Sequence, residues 1–246
     1  MVHQVLDRAH AHFRGIPNPA TRGTIPSEQD IEAYFGDVQD GLRLQGITAS
    51  HTERDQALRV LKYFNQLEGS TLYPRVVDTE HRLQADNQQH VLFGVVDLLV
   101  DPVTGSTAPN ALEIWDYKGQ SRTTMSPQDR ESYEFQMRVY AHLYERRHGV
   151  MPGRVLLYFV NELDGNAPPA SRPVNAVMEV TIDPAEVLQA VQAFGQTVQD
   201  IEAARLANYW PPAQSGNISN QTCAACDLRW DCQTPNNGRG VTLRCP

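Results

Sequence analysis

Two aspartates lie inside apolar segments and could together bind a divalent cation. Asp97 lies in segment 90–100, which is rich in β-branched and aromatic residues, and Asp116 lies near the end of apolar segment 111–117. An unpaired carboxylate would be costly in such surroundings, and a bound ion accounts for both residues. Hard cations such as Mg²⁺ and Mn²⁺ prefer carboxylate oxygens, and they polarise a phosphate and lower the pKa of an attacking water. The two positions therefore predict metal-assisted hydrolysis of a phosphodiester.

A lysine accompanies the second aspartate. Lys118 follows Asp116 by two positions, and the period of two in a strand places both side chains on one face. Its ammonium could orient the attacking water or stabilise negative charge that develops on the phosphate. The alternative is a salt bridge between Lys118 and one of the aspartates without any bound ion. The D…DxK spacing by itself leaves both interpretations open.

The predicted elements follow an order typical of an α/β or α+β domain with a mixed central β-sheet flanked by helices. The clearest helix begins at Ser126–Pro127, because serine caps a helix, proline suits its first position and Asp129 complements the helix dipole. Gly149 is well placed to end this helix after His148. The other predicted elements are helices at 2–13, from Ser27, at 52–67 and at 183–207, and strands at 73–77, 90–100, 111–117, 154–160 and 176–182.

The composition is that of a folded protein without a large basic surface. The chain has 246 residues, 41% hydrophobic and 20% charged, which is enough to bury a substantial core. Its net charge of -8 argues against coating a nucleic acid by bulk electrostatics, but it does not exclude local contacts. Four arginines could make such contacts or could simply solvate the surface: Arg138, Arg146, Arg147 and Arg154.

The chain shows no targeting or membrane segment. No apolar run approaches the roughly 18–20 residues that cross a bilayer, and residues 1–15 are too polar for a secretory signal. We therefore expect a cytoplasmic protein without a membrane partner. The first predicted helix begins at Val2 without a preceding cap, which suggests that the chain begins inside a larger polypeptide or that an upstream segment has been lost.

All four cysteines are crowded near the end of the sequence, and the first 222 residues contain none. Without an export signal, a metal site is a better interpretation than two disulfides. The C-x2-C-x5-C spacing lets three thiolates converge on an iron–sulfur cluster or Zn²⁺. The turn at 236–238 could return a fourth ligand. The predicted ligands are Cys223, Cys226, Cys232 and Cys245. We expect a core domain at 1–210 and a cysteine-bearing clamp at 211–246 that packs on it.

Several of these motifs resemble the RecB-type PD-(D/E)XK nucleases. The run Gly94-Val95-Val96-Asp97, followed by Asp116-Tyr117-Lys118, is similar to the GxxD and DYK signatures of that family. Three further features resemble the family in the expected order, and they are a histidine in the N-terminal helix, a Q-x-x-x-Y pair in the helix after the second strand, and the cysteine run. The resemblance spans nearly the whole chain and implies a restriction-endonuclease-like core.

The resemblance also implies a role for each site residue. Asp97, Asp116, His3 and the backbone carbonyl of Tyr117 would hold the catalytic metal, and Lys118 would be the catalytic lysine. Gln136 and Tyr140, which are one helical turn apart, would organise the lysine and the DNA backbone. The nearby alternatives to His3 are His10 and His12. Two further acids, Glu80 and Glu113, could supplement the metal site or could be surface carboxylates.

By this resemblance the protein is a divalent-metal-dependent deoxyribonuclease that uses Mg²⁺ or Mn²⁺. It would act as an exonuclease on single strands or ends in DNA repair or recombination, with a helicase subunit or domain as its partner. The cysteines would hold a 4Fe–4S cluster. Zn²⁺ is the alternative, because the family's iron–sulfur members have one cysteine ligand upstream of the histidine helix and this chain has no cysteine there. The alternative function is a catalytically inactive DNA-binding or scaffolding subunit of the same fold.

Overall fold

A mixed β-sheet lies at the centre of the described chain. The computed structural model describes residues 1–87, 90–102 and 108–209. Within these ranges five strands are hydrogen-bonded in the order β1-β2-β3-β4-β5. The β3–β4 pair is parallel, and the three other neighbouring pairs are antiparallel. The strands are β1 Val76–Asn87, β2 His90–Val100, β3 Glu113–Lys118, β4 Arg154–Phe159 and β5 Val177–Val180.

Helices flank this sheet, which confirms the predicted mixed sheet between helices. They are α1 Val2–Arg14, α2 Glu28–Leu44, α3 His51–Glu68 and α4 Pro127–His148, and a further helix, α5 Pro184–Ala207, follows β5 in the chain. Helix α4 connects β3 to β4, because a parallel pair needs a long crossover connection. None of the described helices is long and apolar enough to span a bilayer.

Local sequence signals account for the ends of these helices. Helices α2, α3 and α4 each begin with a capping box, in which a serine at the N-cap exchanges hydrogen bonds with an acid three residues later. Helix α4 runs over the predicted 127–148, and Gly149 ends it with a left-handed φ of 76°. The three capping pairs are Ser27 with Asp30, Ser50 with Glu53, and Ser126 with Asp129.

The first strand differs from its prediction. The predicted strand 73–77 is a 3-10 turn at Tyr73–Arg75, and β1 follows it and runs to Asn87. Only alternate residues of β1 are buried in its outer half, such as Leu83 and Ala85. The polar residues between them face solvent, and this half-exposed pattern hides the strand from a search for apolar runs.

One hydrophobic core lies between helices α1–α3 and one face of the sheet. Its strand members alternate along β3 and β4, as expected when successive side chains point to opposite faces. Buried residues of this core include Leu6, Ile31, Phe64, Trp115, Tyr117, Leu156 and Tyr158. Helix α4 contacts β1, β2, β4 and β5. The other residues of β3, Asp116 and Lys118 among them, therefore lie on the α4 face.

The chain divides into two compact units, Met1–Ala193 and Phe194–Pro246. The first unit contains all five strands and the helices α1–α4. Of the second unit only residues 194–209 are described. The expected division into 1–210 and 211–246 stays a prediction, because its second part lies outside the described residues.

Candidate active site

The two aspartates of the D…DxK pattern lie on adjacent strands. In the antiparallel β2–β3 pair, Leu98 is opposite Trp115 and Leu99 is opposite Ile114, and one more step in this register places Asp97 opposite Asp116. The backbone N–H of Tyr117 donates a hydrogen bond of 2.7 Å to Asp97 Oδ2. This contact fixes the first carboxylate against the strand that carries the second.

A histidine of helix α1 joins them. His3 Nδ1 lies 3.3 Å from Asp97 Oδ2, and the His3 side chain remains 43% exposed. The hydrogen bond to Asp97 raises the pKa of His3, as do the charges of Asp97 and Asp116, while partial burial and Lys118 lower it. The structure thus brings the predicted histidine to the predicted carboxylate.

The two alternative histidines of α1 lie elsewhere. His10 is fully buried, and its Nε2 is 2.9 Å from the hydroxyl oxygen of Tyr117, on the core side of β3. Burial lowers the pKa of His10 to about 3. His12 Nδ1 is 2.6 Å from the hydroxyl of Tyr34. Both have structural partners, and neither has a contact with Asp97 or Asp116 among the described residues.

Lys118 connects the carboxylates to helix α4. Its Nζ lies 2.7 Å from Asp116 Oδ2 and donates a hydrogen bond of 2.8 Å to Gln136 Oε1. Gln136 Nε2 in turn donates a hydrogen bond of 2.9 Å to the Tyr140 hydroxyl. The four side chains form one continuous chain of polar contacts from β3 to α4. Asp97 adjoins this chain through the backbone N–H of Tyr117, and His3 adjoins Asp97.

The glycine of the GxxD run has a packing reason. A Cβ atom built on Gly94 would lie 2.9 Å from a ring carbon of Tyr140 and 2.9 Å from a methyl carbon of Leu143. Real Cβ atoms do not approach other atoms so closely. Position 94 therefore lacks a side chain because α4 packs directly on the backbone of β2 there.

Of the two supplementary acids, Glu80 lies near Asp97 and Glu113 does not. Glu80 lies between Thr79 and His81, which pair with Leu98 and Val96 on either side of Asp97. Its φ of 47° is left-handed, a strained conformation that is common at functional sites. Partial burial raises its pKa most, followed by the charges of Asp97 and Asp7. Glu113 lies at the other end of β3, where Trp115 Nε1 donates a hydrogen bond of 2.8 Å to it.

The electrostatics of Asp116 favour a bound cation. Burial raises the pKa of Asp116 to about 6, and the charge of Asp97 adds to this, while Lys118 and His3 oppose it. Asp116 Oδ2 is buried, and its close partner is the Lys118 ammonium at 2.7 Å, which Gln136 also engages. A cation would satisfy this oxygen and offset the repulsion between the two carboxylates.

The residues fit a hard divalent cation in type. They offer two carboxylates, an imidazole and the carbonyl of Tyr117, and oxygen ligands are those that Mg²⁺ and Mn²⁺ prefer. In the described ranges no three or more His, Cys, Asp or Glu side chains are grouped as a metal site. His3 contacts Asp97 but not Asp116, and Asp116 faces Lys118. The candidate ligands are therefore neighbours that do not form such a group in the described ranges.

Sequence motifs did not identify Tyr133, an aromatic neighbour of the lysine. Its ring centroid lies 4.3 Å from Lys118 Nζ. Tyr133 precedes Gln136 by three residues in α4, and residues three apart share a helix face. Helical spacing counted from Gln136 is thus the signal that could have identified it.

At least two of the four candidate DNA-contacting arginines are held in ion pairs. Arg138 pairs with Glu134 and Glu186, and Arg154 pairs with Glu113 and Glu179. Their charges are already compensated, which weakens the case for a local basic cluster. The predicted cysteine ligands Cys223, Cys226, Cys232 and Cys245 lie outside the described residues.

Comparison with protein-family models assigns most of the chain to a family. The family model described as PD-(D/E)XK nuclease superfamily matches residues 1–233. No curated protein matches the chain.

Proposed function

Because the chain belongs to the PD-(D/E)XK nuclease superfamily, we propose that it is a divalent-metal-dependent deoxyribonuclease. Members of this superfamily are typically nucleases of that kind. The observation that carries the proposal is the buried Asp116, which lies beside a second carboxylate, Asp97, and whose ammonium partner, Lys118, is shared with Gln136. A buried carboxylate left in this state is costly unless a ligand completes it.

Each side chain of the cluster has a role in this proposal. Asp97, Asp116, His3 and the carbonyl of Tyr117 would hold Mg²⁺ or Mn²⁺. The cation, when bound, polarises the scissile phosphate and lowers the pKa of the attacking water. Lys118 would orient that water or stabilise negative charge on the phosphate oxygens.

Helix α4 would keep the lysine in position. Gln136 accepts a hydrogen bond from Lys118 and donates one to Tyr140, so the lysine is connected to a helix rather than to a loop. Groups held by regular elements keep their geometry better than groups on loops. We therefore assign positioning roles to Gln136 and Tyr140.

The finer part of the proposal is an exonuclease that acts on single strands or ends in repair or recombination, with a helicase partner. Its support is the likeness of the GxxD and DYK motifs to RecB-type nucleases. The same likeness supports a 4Fe–4S cluster on the four cysteines, with Zn²⁺ as the alternative. A metal centre there would contribute folding energy rather than chemistry. An absorption band near roughly 400 nm in anaerobically purified protein would identify iron–sulfur ligation.

A cleavage assay tests the catalytic proposal. Wild type, Asp116→Ala and Lys118→Ala are incubated with end-labelled single- and double-stranded DNA in Mg²⁺, Mn²⁺ or EDTA. We expect wild type to cleave only with a divalent cation, and both variants to lose at least about 1,000-fold in rate. Circular single-stranded DNA separates the modes, because an exonuclease degrades the linear form and spares the circle.

Glu113→Gln provides a matched control. Glu113 lies on the same strand and is as buried as Asp116, but it is outside the cluster. Circular dichroism on all variants separates loss of fold from loss of chemistry. If folded wild type cleaves neither substrate in either metal, the protein is an inactive DNA-binding or scaffolding subunit, and the proposal is wrong.

A further inference from the structure

Lys118 is enclosed on a third side by an aromatic ring. Its Nζ lies 4.3 Å from the centroid of the Tyr133 ring, in addition to its contacts with Asp116 and Gln136. The Tyr133 ring has Phe159 of β4 as an aromatic neighbour, with 6.4 Å between the ring centroids. Among the described residues the Tyr133 hydroxyl makes no hydrogen bond, so the ring is the part of this side chain that engages the lysine.

Lysine is rare in this chain. Of 21 basic Lys and Arg residues only two are lysines, Lys62 and Lys118. Lys62 lies at a helix surface, where it pairs with Glu28 and Glu32. A lysine carries a compact charge on a flexible four-carbon stem, so its ammonium needs several contacts to stay in one place.

The three contacts of Lys118 are not equivalent. Asp116 is also a proposed ligand of the cation, and a carboxylate that binds a cation attracts an ammonium less strongly. Gln136 and Tyr133 are not proposed ligands of the cation. Both lie on α4, and being three residues apart they share a helix face. Together they could hold Nζ from two sides without the carboxylate.

We propose that Tyr133 is a positioning residue for Lys118, and that the face of its ring holds the ammonium by a cation–π contact. This inference rests on the proposed function for its effect on rate, but the contact itself does not. A cation–π contact needs the negative face of an aromatic ring and does not need a hydroxyl. Phenylalanine at position 133 would therefore preserve it, and leucine would remove it.

Kinetics test the catalytic consequence. We expect Tyr133→Leu to lower kcat about tenfold, with KM changed by less than about threefold, because a partly desolvated cation–π contact has an effect of this order. Tyr133→Phe should stay within about twofold of wild type. Phe135→Leu is the matched control, since Phe135 lies two residues along α4 and so points to a different side. Equal losses in the Phe and Leu variants at position 133, or an unchanged kcat in Tyr133→Leu, would overturn the proposal.

Nuclear magnetic resonance tests the contact without metal, DNA or activity. Protein labelled with ¹³C only in lysine gives two sets of side-chain signals, and Lys62 serves as the internal reference. A ring face above Nζ shifts the ε-methylene signal of Lys118 upfield. We expect the shift in wild type and Tyr133→Phe, and its loss in Tyr133→Leu. A wild-type Lys118 signal that coincides with that of Lys62 would overturn the contact. If wild type cleaves no DNA, the proposed function fails, and this measurement still decides the contact.

Discussion

Strand β3 carries a buried acid near each end, and the two acids differ in the partners that surround them. Glu113 and Asp116 are both 3% exposed. Glu113 accepts hydrogen bonds from Trp115 Nε1 at 2.8 Å and from Arg154 Nη1 at 3.2 Å, and Arg75 Nη2 lies 3.5 Å away. Asp116 has the Lys118 ammonium at 2.7 Å as its ion-pair partner, and Lys118 also donates a hydrogen bond to Gln136.

The difference separates a structural acid from a candidate functional one. Partners on several sides compensate the charge of Glu113, as buried ion pairs require. Asp116 faces a second carboxylate and has a pKa raised to about 6, mainly by burial. A buried acid with a perturbed pKa and an incomplete set of partners marks a functional site, whereas burial alone does not.

The largest expected effect comes from neutralising the two acids separately. Asp116→Asn should lower the cleavage rate at least about 1,000-fold. It should leave the free energy of unfolding unchanged or higher, because burial and the charge of Asp97 already disfavour the ionised form of Asp116. Glu113→Gln should leave the rate within a few-fold and lower the free energy of unfolding by about 2–3 kcal/mol. Cleavage assays and urea denaturation measure the two quantities. If the two variants lose the same cleavage rate and the same free energy of unfolding, the proposed distinction between the two ends of β3 is wrong.

A second satisfied acid extends the comparison beyond β3. Glu68 is buried, and it accepts hydrogen bonds from Tyr158 at 2.8 Å and from Arg172 Nε at 2.7 Å. Glu68→Gln should lower the free energy of unfolding by about 3 kcal/mol, because it leaves the Arg172 guanidinium without its partner. Urea denaturation checks this, and the cleavage rate per folded molecule should not change. A stability equal to wild type would show that a complete set of partners adds little here.

A buried group that stays neutral gives a pH test. Burial lowers the pKa of His10 to about 3, whereas the ordinary pKa of histidine is 6.5. Below pH 6.5, His10 binds a proton in the unfolded chain but not in the folded chain. The free energy of unfolding therefore falls as pH falls, by up to about 1.4 kcal/mol per pH unit.

Denaturation of wild type and His10→Gln at pH 7, 6 and 5 measures this dependence. Wild type should lose about 2 kcal/mol more than the variant between pH 7 and 5. All other titrating groups are shared, so they cancel in the difference. Parallel curves for the two proteins would mean that His10 titrates in the folded state as it does in the unfolded chain.

The smallest expected effect is stabilisation by the metal itself. At a concentration tenfold above the dissociation constant, Mg²⁺ or Mn²⁺ should stabilise the folded protein by about 1.4 kcal/mol relative to EDTA. Thermal unfolding measures this. The effect should vanish in Asp116→Asn and persist in Glu113→Gln, because only the former loses a proposed ligand. Equal stabilisation of both variants would place the cation elsewhere.

Local signals predicted much of this fold. The Ser126–Pro127 start and Gly149 end of α4 are properties of a few neighbouring residues, and both bounds are confirmed. Strand β2 was also predicted with its observed bounds. Most of β1 was missed, because its outer half is buried on one face only.

Contacts between distant residues were harder to predict. The D…DxK spacing identified three members of the site, but it does not show that Asp116 is buried beside Lys118, or that Lys118 also reaches Gln136 on α4. Spacing also left His3 and His10 open, since residues seven apart lie on similar sides of a helix. Burial against Tyr117 distinguishes them, and burial depends on how α1 packs on the sheet.

The missing side chain at Gly94 makes the lysine sensitive to a position that carries no charge. Helix α4 lies so close to β2 that an alanine methyl would meet the Tyr140 ring at 2.9 Å. Relief of that clash would displace Tyr140, and Gln136 is hydrogen-bonded to it. A single added carbon on the neighbouring strand would thus shift the position of the Lys118 ammonium, although every acid and base in the cluster would be unchanged.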